Sequence, residues 1–148
     1  MSNVNEVQKL REITGAGVME CKKALEEAAG DFDKAVQIIH EKGLAKVEKR
    51  SGRETSAGLI FSYIHNERIG VLVDLRAETD FVVRSDPFRN LAKELAMHIA
   101  AAAPQNIEEL LSQPYIRDES KTIKNLIEET ISIVGENIKI NNFSRLEI

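Results

Sequence analysis

Hydrophobic periodicity changes once along the chain, and that change constrains the fold more than any other feature. Through residue 44 the apolar residues recur every three or four positions, the repeat of a helix that buries one face. From Ala57 they alternate or run together, the habit of a strand. Between the two lies AKVEKRSGRETS, Ala45 to Ser56, which is charged and has no apolar repeat. It reads as a linker or as an exposed extension of the preceding helix. Helices first and strands afterwards predict an α+β chain in two parts, residues 1–52 and residues 53–148.

The first part predicts three short helices. Val4, Val7, Leu10 and Ile13 or Thr14 form one apolar stripe, which Gly15 and Gly17 interrupt. Val18, Cys21, Leu25 and Ala28 form the second stripe, with Gly30 as its stop and Asp31 as the cap of the next helix. Phe32, Ala35, Val36 and Ile39 form the third, and Gly43 is expected to end it. The core they enclose is small and marginal by itself.

In the second part, Ala57–His65 and Ile69–Arg76 predict a hairpin through Asn66-Glu67-Arg68. A loop, AETDFV, follows. Pro87 suits a first helical turn, and Phe88, Leu91, Leu95 and Ile99 predict a helix to about Ala103. A short helix is expected over 107–111. Asp118 or Ser120 is the expected cap of a last helix with Ile123, Leu126, Ile127, Ile131 and Val134 inside, ended by Gly135. Residues 137–148 predict a third strand.

Composition narrows the function classes. The chain has 148 residues, 43% hydrophobic and 30% charged, and a net charge of -4. That balance argues against a general nucleic-acid binder, which carries a basic footprint. The deficit of four lies wholly in residues 61–148. No apolar run approaches the roughly 20 residues of a membrane span, and the start has no basic-then-apolar signal. One cysteine, Cys21, leaves no internal disulfide and suits a reducing cytoplasm.

Few groups suggest covalent chemistry. His40, His65 and His98 stand apart, at no metal-ligand spacing on a single element. Cys21 sits on an apolar face, where a free cysteine packs as a small hydrophobe. Gly15-Ala-Gly17 follows no strand and precedes no Gly-Lys-Ser/Thr, so it is a turn between helices rather than a phosphate loop. No cofactor and no metal are expected. The informative pair is Asp80-Phe81, just past a strand. Phe81 reads either as core, with Asp80 a loop hydrogen-bonder, or as an aromatic wedge for a partner's pocket, of the kind that dominates binding energy.

Four segments taken together resemble translation elongation factor Ts, the guanine-nucleotide exchange factor family of elongation factor Tu. They are LREITGAGVMECKKALEEAAGDFDKAV (10–36), GLAKVEKR (43–50), YIHNERIGVLVDLRAETDFV (63–82) and IVGENIKI (133–140). They cover nearly the whole chain in the family's order. The resemblance implies an N-terminal three-helix module similar to ubiquitin-associated domains, then a core of a three-stranded antiparallel sheet packed with helices. It implies that Arg11, Val18, Met19 and Lys22 contact the GTPase, in its GDP-bound and nucleotide-free forms. It also implies that Thr79, Asp80, Phe81 and Val82 enter beside its Mg²⁺ and phosphate site, with no covalent chemistry. Two other classes are a ubiquitin-associated-type binding module without exchange activity and an enzyme pairing Asp80 with a histidine.

Three departures from the family pattern stand out. Ala77 occupies a position usually held by cysteine before T-D-F-V. The core is short between about Ala103 and Gln113-Pro114. Ser144 replaces a last-strand cysteine that cross-links dimers in some short members. The hairpin strands are apolar on both faces, whereas a sheet with one solvated face alternates more cleanly. A non-covalent homodimer through the uncovered face is therefore expected.

Overall fold

In a computed structural model, described over residues 3–148, the chain divides into two compact units, one ending at Lys49 and the other spanning Arg50–Ile148. In the first, α1 (Val4–Thr14) stops at Gly15, whose φ of 71° is left-handed and whose N–H bonds to the Arg11 carbonyl. Helix α2 (Val18–Glu27) follows, and Gly30, at φ 86°, turns the chain toward α3 (Phe32–Arg50). Asp31 caps α3 by accepting the Lys34 N–H at 3.2 Å. Leu10, Cys21, Ala24, Leu25, Ala28 and Ala35 form the buried centre, with Val7, Phe32, Val36 and Ile39 packed on it.

Three expectations fail here. Gly43 does not end α3, which runs on to Arg50. The extension consists mostly of strong helix formers, and Lys42 and Lys46 fasten it to Glu27 and Glu20 of α2. One interior glycine costs only roughly 1 kcal/mol, too little to break a helix otherwise made of strong formers. Val4 and Ile13 are exposed, so half-buried Thr14 completes the α1 stripe, its hydroxyl donating to the Leu10 carbonyl at 2.7 Å. Val18 is 48% exposed, so α2 faces inward through Cys21, Ala24 and Leu25.

In the second unit, β1 (Ala57–His65) and β2 (Ile69–Ala77) pair in one unbroken register, Leu59 opposite Leu75 and Phe61 opposite Val73. Asn66 and Glu67 make the turn at φ 51° and 58°. After β2 come a single helical turn, α4 (Asp80–Val83), then α5 (Asp86–Ala102) with Pro87 in its first turn, and α6 (Ile107–Ser112). Two short strands follow, β3 (Pro114–Tyr115) and β4 (Asp118–Thr122), then α7 (Ile123–Val134) and β5 (Ile138–Glu147). The larger sheet is antiparallel in the order β1-β2-β5. The architecture is α+β, N-terminal helices followed by a three-stranded antiparallel sheet packed with helices.

Helix α5 lies on the inner face of β1 and β2, and α7 packs on α5. Phe88, Leu91, Leu95 and Ile99 meet Val71, Val73 and Leu75 in the core, all nearly free of solvent. A bulge in β5 brings Phe143 to the same side as Ile138 and Ile140, opposite Val73. Asp74 pairs with Asn142 and Leu75 with Ile140, so Asn141 is the inserted residue. Without the extra residue, Asn142 would stand opposite Val73 in place of Phe143. Arg145 turns inward and donates to the Ile99 and Ala100 carbonyls at 3.1 and 2.9 Å, at the C-terminal end of α5, where a cation is favoured by the helix dipole.

The β3–β4 hairpin corrects the expected cap of the last helix. Residues Asp118 and Ser120 belong to β4, and Thr122 caps α7 in a reciprocal box with Asn125. The hairpin is fastened to α5 by polar groups. Buried His98 bonds to Gln113 Oε1 at 2.9 Å through Nε2 and accepts the Ile116 N–H at 3.4 Å through Nδ1. Glu94 accepts the Tyr115 hydroxyl, and Arg117 donates to it at 2.6 Å. Burial and the neighbouring carboxylate push the Tyr115 phenol up to about 12.

The outer face of the sheet is mixed rather than uniformly apolar. Ile60, Ile64, Leu72 and Leu146 are exposed on it. At its other end Asp74 and Arg76 pair at 2.6 Å, and the arginine, together with Asn141, holds the Asp74 carboxyl below its ordinary range.

Candidate partner-binding site

The stretch after β2 decides between the two readings of Phe81. Thr79 has extended backbone (φ -131°, ψ 153°), and its hydroxyl accepts the Val82 N–H at 3.3 Å, so it caps α4. One turn of helix then sorts four side chains. Val82 and Val83 point into the core, while Phe81 is 84% exposed. Phe81 is therefore not core. Asp80 is exposed beside it, and its carboxylate meets no hydrogen-bond or ion-pair partner among the described residues. Val82, buried beneath the tip, anchors it. Ser85 closes the turn, its N–H and hydroxyl both donating to the Val82 carbonyl, at 2.9 and 2.6 Å.

Two dipeptides, 57 and 59 residues away in sequence from their partners, lock the base of this turn. Glu136 accepts the Thr79 N–H at 3.0 Å and the Thr79 hydroxyl at 2.8 Å. In return Glu78 accepts the Asn137 N–H at 3.3 Å. Each dipeptide thus gives the other a carboxylate and takes a carboxylate on its own backbone. Buried Asn137 also donates to the Arg53 and Ser51 carbonyls at 2.9 and 3.4 Å, and Arg53 approaches Glu78 to 3.7 Å. The sequence marks Gly135 as a helix stop and Asn137 as the start of a strand, but gives Glu136 no role of its own. Its pairing with Glu78-Thr79 leaves no local signal.

In the N-terminal unit Arg11, Val18, Met19 and Lys22 are all exposed, within about one helical turn of the Gly15–Gly17 connection. Val18 and Lys22 lie four apart and share a face of α2. Gly17 opens α2, and Glu20 folds back to accept its N–H at 3.4 Å. Cys21 is buried beneath, and burial pushes its thiol above the ordinary range, which disfavours the nucleophilic thiolate.

Groups for other chemistry do not converge. His98 is buried with both ring nitrogens engaged, and burial holds its pKa below the ordinary 6.5. No three His, Cys, Asp or Glu among the described residues form a set that could hold a metal ion. Among the described residues no helix is long and apolar enough to cross a membrane.

Comparison with known proteins places this geometry in a family. The family model described as elongation factor Ts matches residues 78–148, from the base of the Phe81 turn to the end of β5. The chain is 43% identical to elongation factor Ts of Coprothermobacter proteolyticus, covering 94% of both chains. It is 41% identical to that of Thermotoga maritima, covering 96% of this chain and 94% of the relative. It is 42% identical to that of Thermoanaerobacter pseudethanolicus, covering 99% and 95%. The Thermotoga alignment spans 186 positions, more than the 148 residues present, so that relative carries residues that this chain lacks. With such identity sustained over nearly its full length, the chain belongs to the elongation factor Ts family.

Proposed function

We propose that this protein promotes release of GDP from elongation factor Tu during translation elongation, and that it does so by inserting the Thr79–Val82 turn beside the Mg²⁺ and phosphate site. The observation that carries the proposal is Phe81, a large aromatic side chain 84% exposed on a turn whose other apolar residues are buried. An exposed phenylalanine on a fastened turn suits a pocket in another molecule.

Exchange is a matter of linkage and makes no covalent bond. A factor that binds the nucleotide-free GTPase more tightly than the GDP-bound form weakens GDP by the same ratio. A thousandfold weakening requires about 4.1 kcal/mol of differential binding. Seating Phe81 supplies roughly 1.5–3 kcal/mol of that. The remainder must come from elsewhere, and the exposed group Arg11, Val18, Met19 and Lys22 is the proposed second contact, on a three-helix unit similar to ubiquitin-associated domains. Asp80, with a carboxylate free of internal partners among the described residues, would compete for groups around the Mg²⁺ shell or set the direction of the turn. The work is assigned to the cytoplasm, where the single reduced cysteine is at home.

The test is release of fluorescent GDP from preloaded elongation factor Tu. Acceleration by substoichiometric protein is expected. Binding without release would instead make the chain a docking module and overturn the exchange assignment.

A second reading concerns assembly. Ile60, Ile64, Leu72 and Leu146 share the outer face of the sheet, and all are exposed. A second copy of the chain, related by a two-fold axis, would cover them. Such a dimer would be non-covalent, because Ser144 stands in the last strand and Cys21 is buried in the helical unit.

A further inference from the structure

The geometry points to Glu136 as the positioning residue of the exchange turn, a group that touches no partner and acts by aiming Phe81. The inference rests on the wedge reading given above and deepens it.

Helix α4 has four residues, a single turn. One turn in isolation is unstable, because it fixes several backbone angles for very few hydrogen bonds. It persists here because Val82 and Val83 are buried behind it and Thr79 caps it in front. The cap depends on one rotor. A threonine hydroxyl has a single proton and two lone pairs. For a lone pair to face the Val82 N–H, the proton must point elsewhere. Glu136 Oε2 takes that proton at 2.8 Å, which leaves the lone pair on Val82 at 3.3 Å. The other oxygen, Oε1, takes the Thr79 N–H at 3.0 Å. Both donors of one residue are thus gripped by both oxygens of one carboxylate, through charge-assisted bonds.

The grip is itself fixed. Gly135, at φ 76°, ends α7 and turns the chain, so Glu136 emerges at a set angle. Its neighbour Asn137 is held at the amide by Glu78 and at the side chain by Ser51 and Arg53. The carboxylate therefore sits on a backbone tied on either side. If it is lost, Thr79 keeps an unmatched N–H and a free rotor, and the turn carrying Phe81 no longer has one preferred direction.

A double-mutant cycle between Glu136→Gln and Phe81→Ala tests this, read as maximal rate and KM of exchange, with unfolding midpoints alongside. Glutamine keeps the bulk but offers one acceptor oxygen to two donors. Glu136→Gln is expected to lower the maximal rate about tenfold while KM moves less than about twofold, the split that marks loss of an interaction felt after binding. In a Phe81→Ala background the same change should cost less than about twofold further, because only Asp80 is left on the turn to aim. Thr79→Val, which removes the hydroxyl at nearly constant shape, should reproduce the loss and fail to add to it. Losses that multiply in the double mutant would show a general structural role and overturn the proposal. So would an unchanged rate for Glu136→Gln or Thr79→Val when Phe81→Ala is slow. An unchanged rate for Phe81→Ala itself refutes the wedge reading, and the positioning role with it.

Discussion

Truncating Phe81 to alanine separates binding from folding with unusual clarity, because the ring touches so little of its own molecule. At 84% exposure it contributes almost nothing to the core. Phe81→Ala should therefore change folding stability by less than about 0.5 kcal/mol, as exposed substitutions do. Seated in a partner's pocket, the same ring contributes roughly 1.5–3 kcal/mol. Affinity for nucleotide-free elongation factor Tu, and with it the catalysed release of GDP, should fall roughly 10- to 150-fold. If the intact factor accelerates release a thousandfold, an acceleration of roughly 7- to 100-fold survives, supplied by the other contacts. The adjacent residue is the internal control. Val82 is buried, and Val82→Ala should cost roughly 1–3 kcal/mol of stability. Thermal unfolding and stopped-flow release of fluorescent GDP, measured on both variants, decide the matter. A Phe81→Ala protein that unfolds as early as Val82→Ala would place the ring in the core and refute the reasoning. So would one that exchanges at the full rate.

Three further outcomes are expected. Leu72→Lys puts a charge at the centre of the outer sheet face, so light scattering should show the mass falling from a dimer to the 16.5 kDa monomer, and a wild-type chain already monomeric at micromolar concentration rejects the dimer. His98 resists protonation in the folded state, so below pH 6.5 the unfolded chain gains a proton that the folded one refuses, and its contribution to stability falls with pH until the lower folded pKa is passed; an imidazole titration midpoint above 6.5 would contradict this. Glu67→Gly and Ala103→Gly relieve positive φ angles of 58° and 47° at exposed positions, and each should raise the urea midpoint by the equivalent of roughly 0.5–1 kcal/mol, whereas a lower midpoint would count against left-handed strain there.

What sequence revealed, and what it hid, divides by the range of the interactions. The β1–β2 hairpin was readable because alternation and turn residues are local, and its strands lie where the pattern put them, β2 running one residue longer. The stripe Phe88, Leu91, Leu95, Ile99 was readable for the same reason. Helix α3 is a local exception, because one interior glycine, Gly43, costs too little to end a run of strong helix formers. The β3–β4 hairpin was missed because it has almost no apolar alternation; His98 and Glu94 of α5 hold it by polar bonds. At the candidate site, spacing left Phe81 balanced between core and tip. Only its place in a one-turn helix, with Val82 and Val83 inward, turned it out. The Thr79–Glu136 pair spans 57 residues and has no counterpart in any local pattern.

Strand β2 is the only strand of the larger sheet hydrogen-bonded along both edges, and it delivers the chain to the exchange turn. Just Glu78 and Thr79 separate its last residue, Ala77, from Asp80. A strand paired on both edges opens together with the sheet around it, which makes β2 a stiff strut. Phe81 is mounted at the end of that strut rather than on a compliant loop. If the ring enters a partner as proposed, load applied to it would be carried lengthwise into the middle of the sheet. Little of it would then be lost in bending the factor, and more would be available to deform whatever the ring is pushed against.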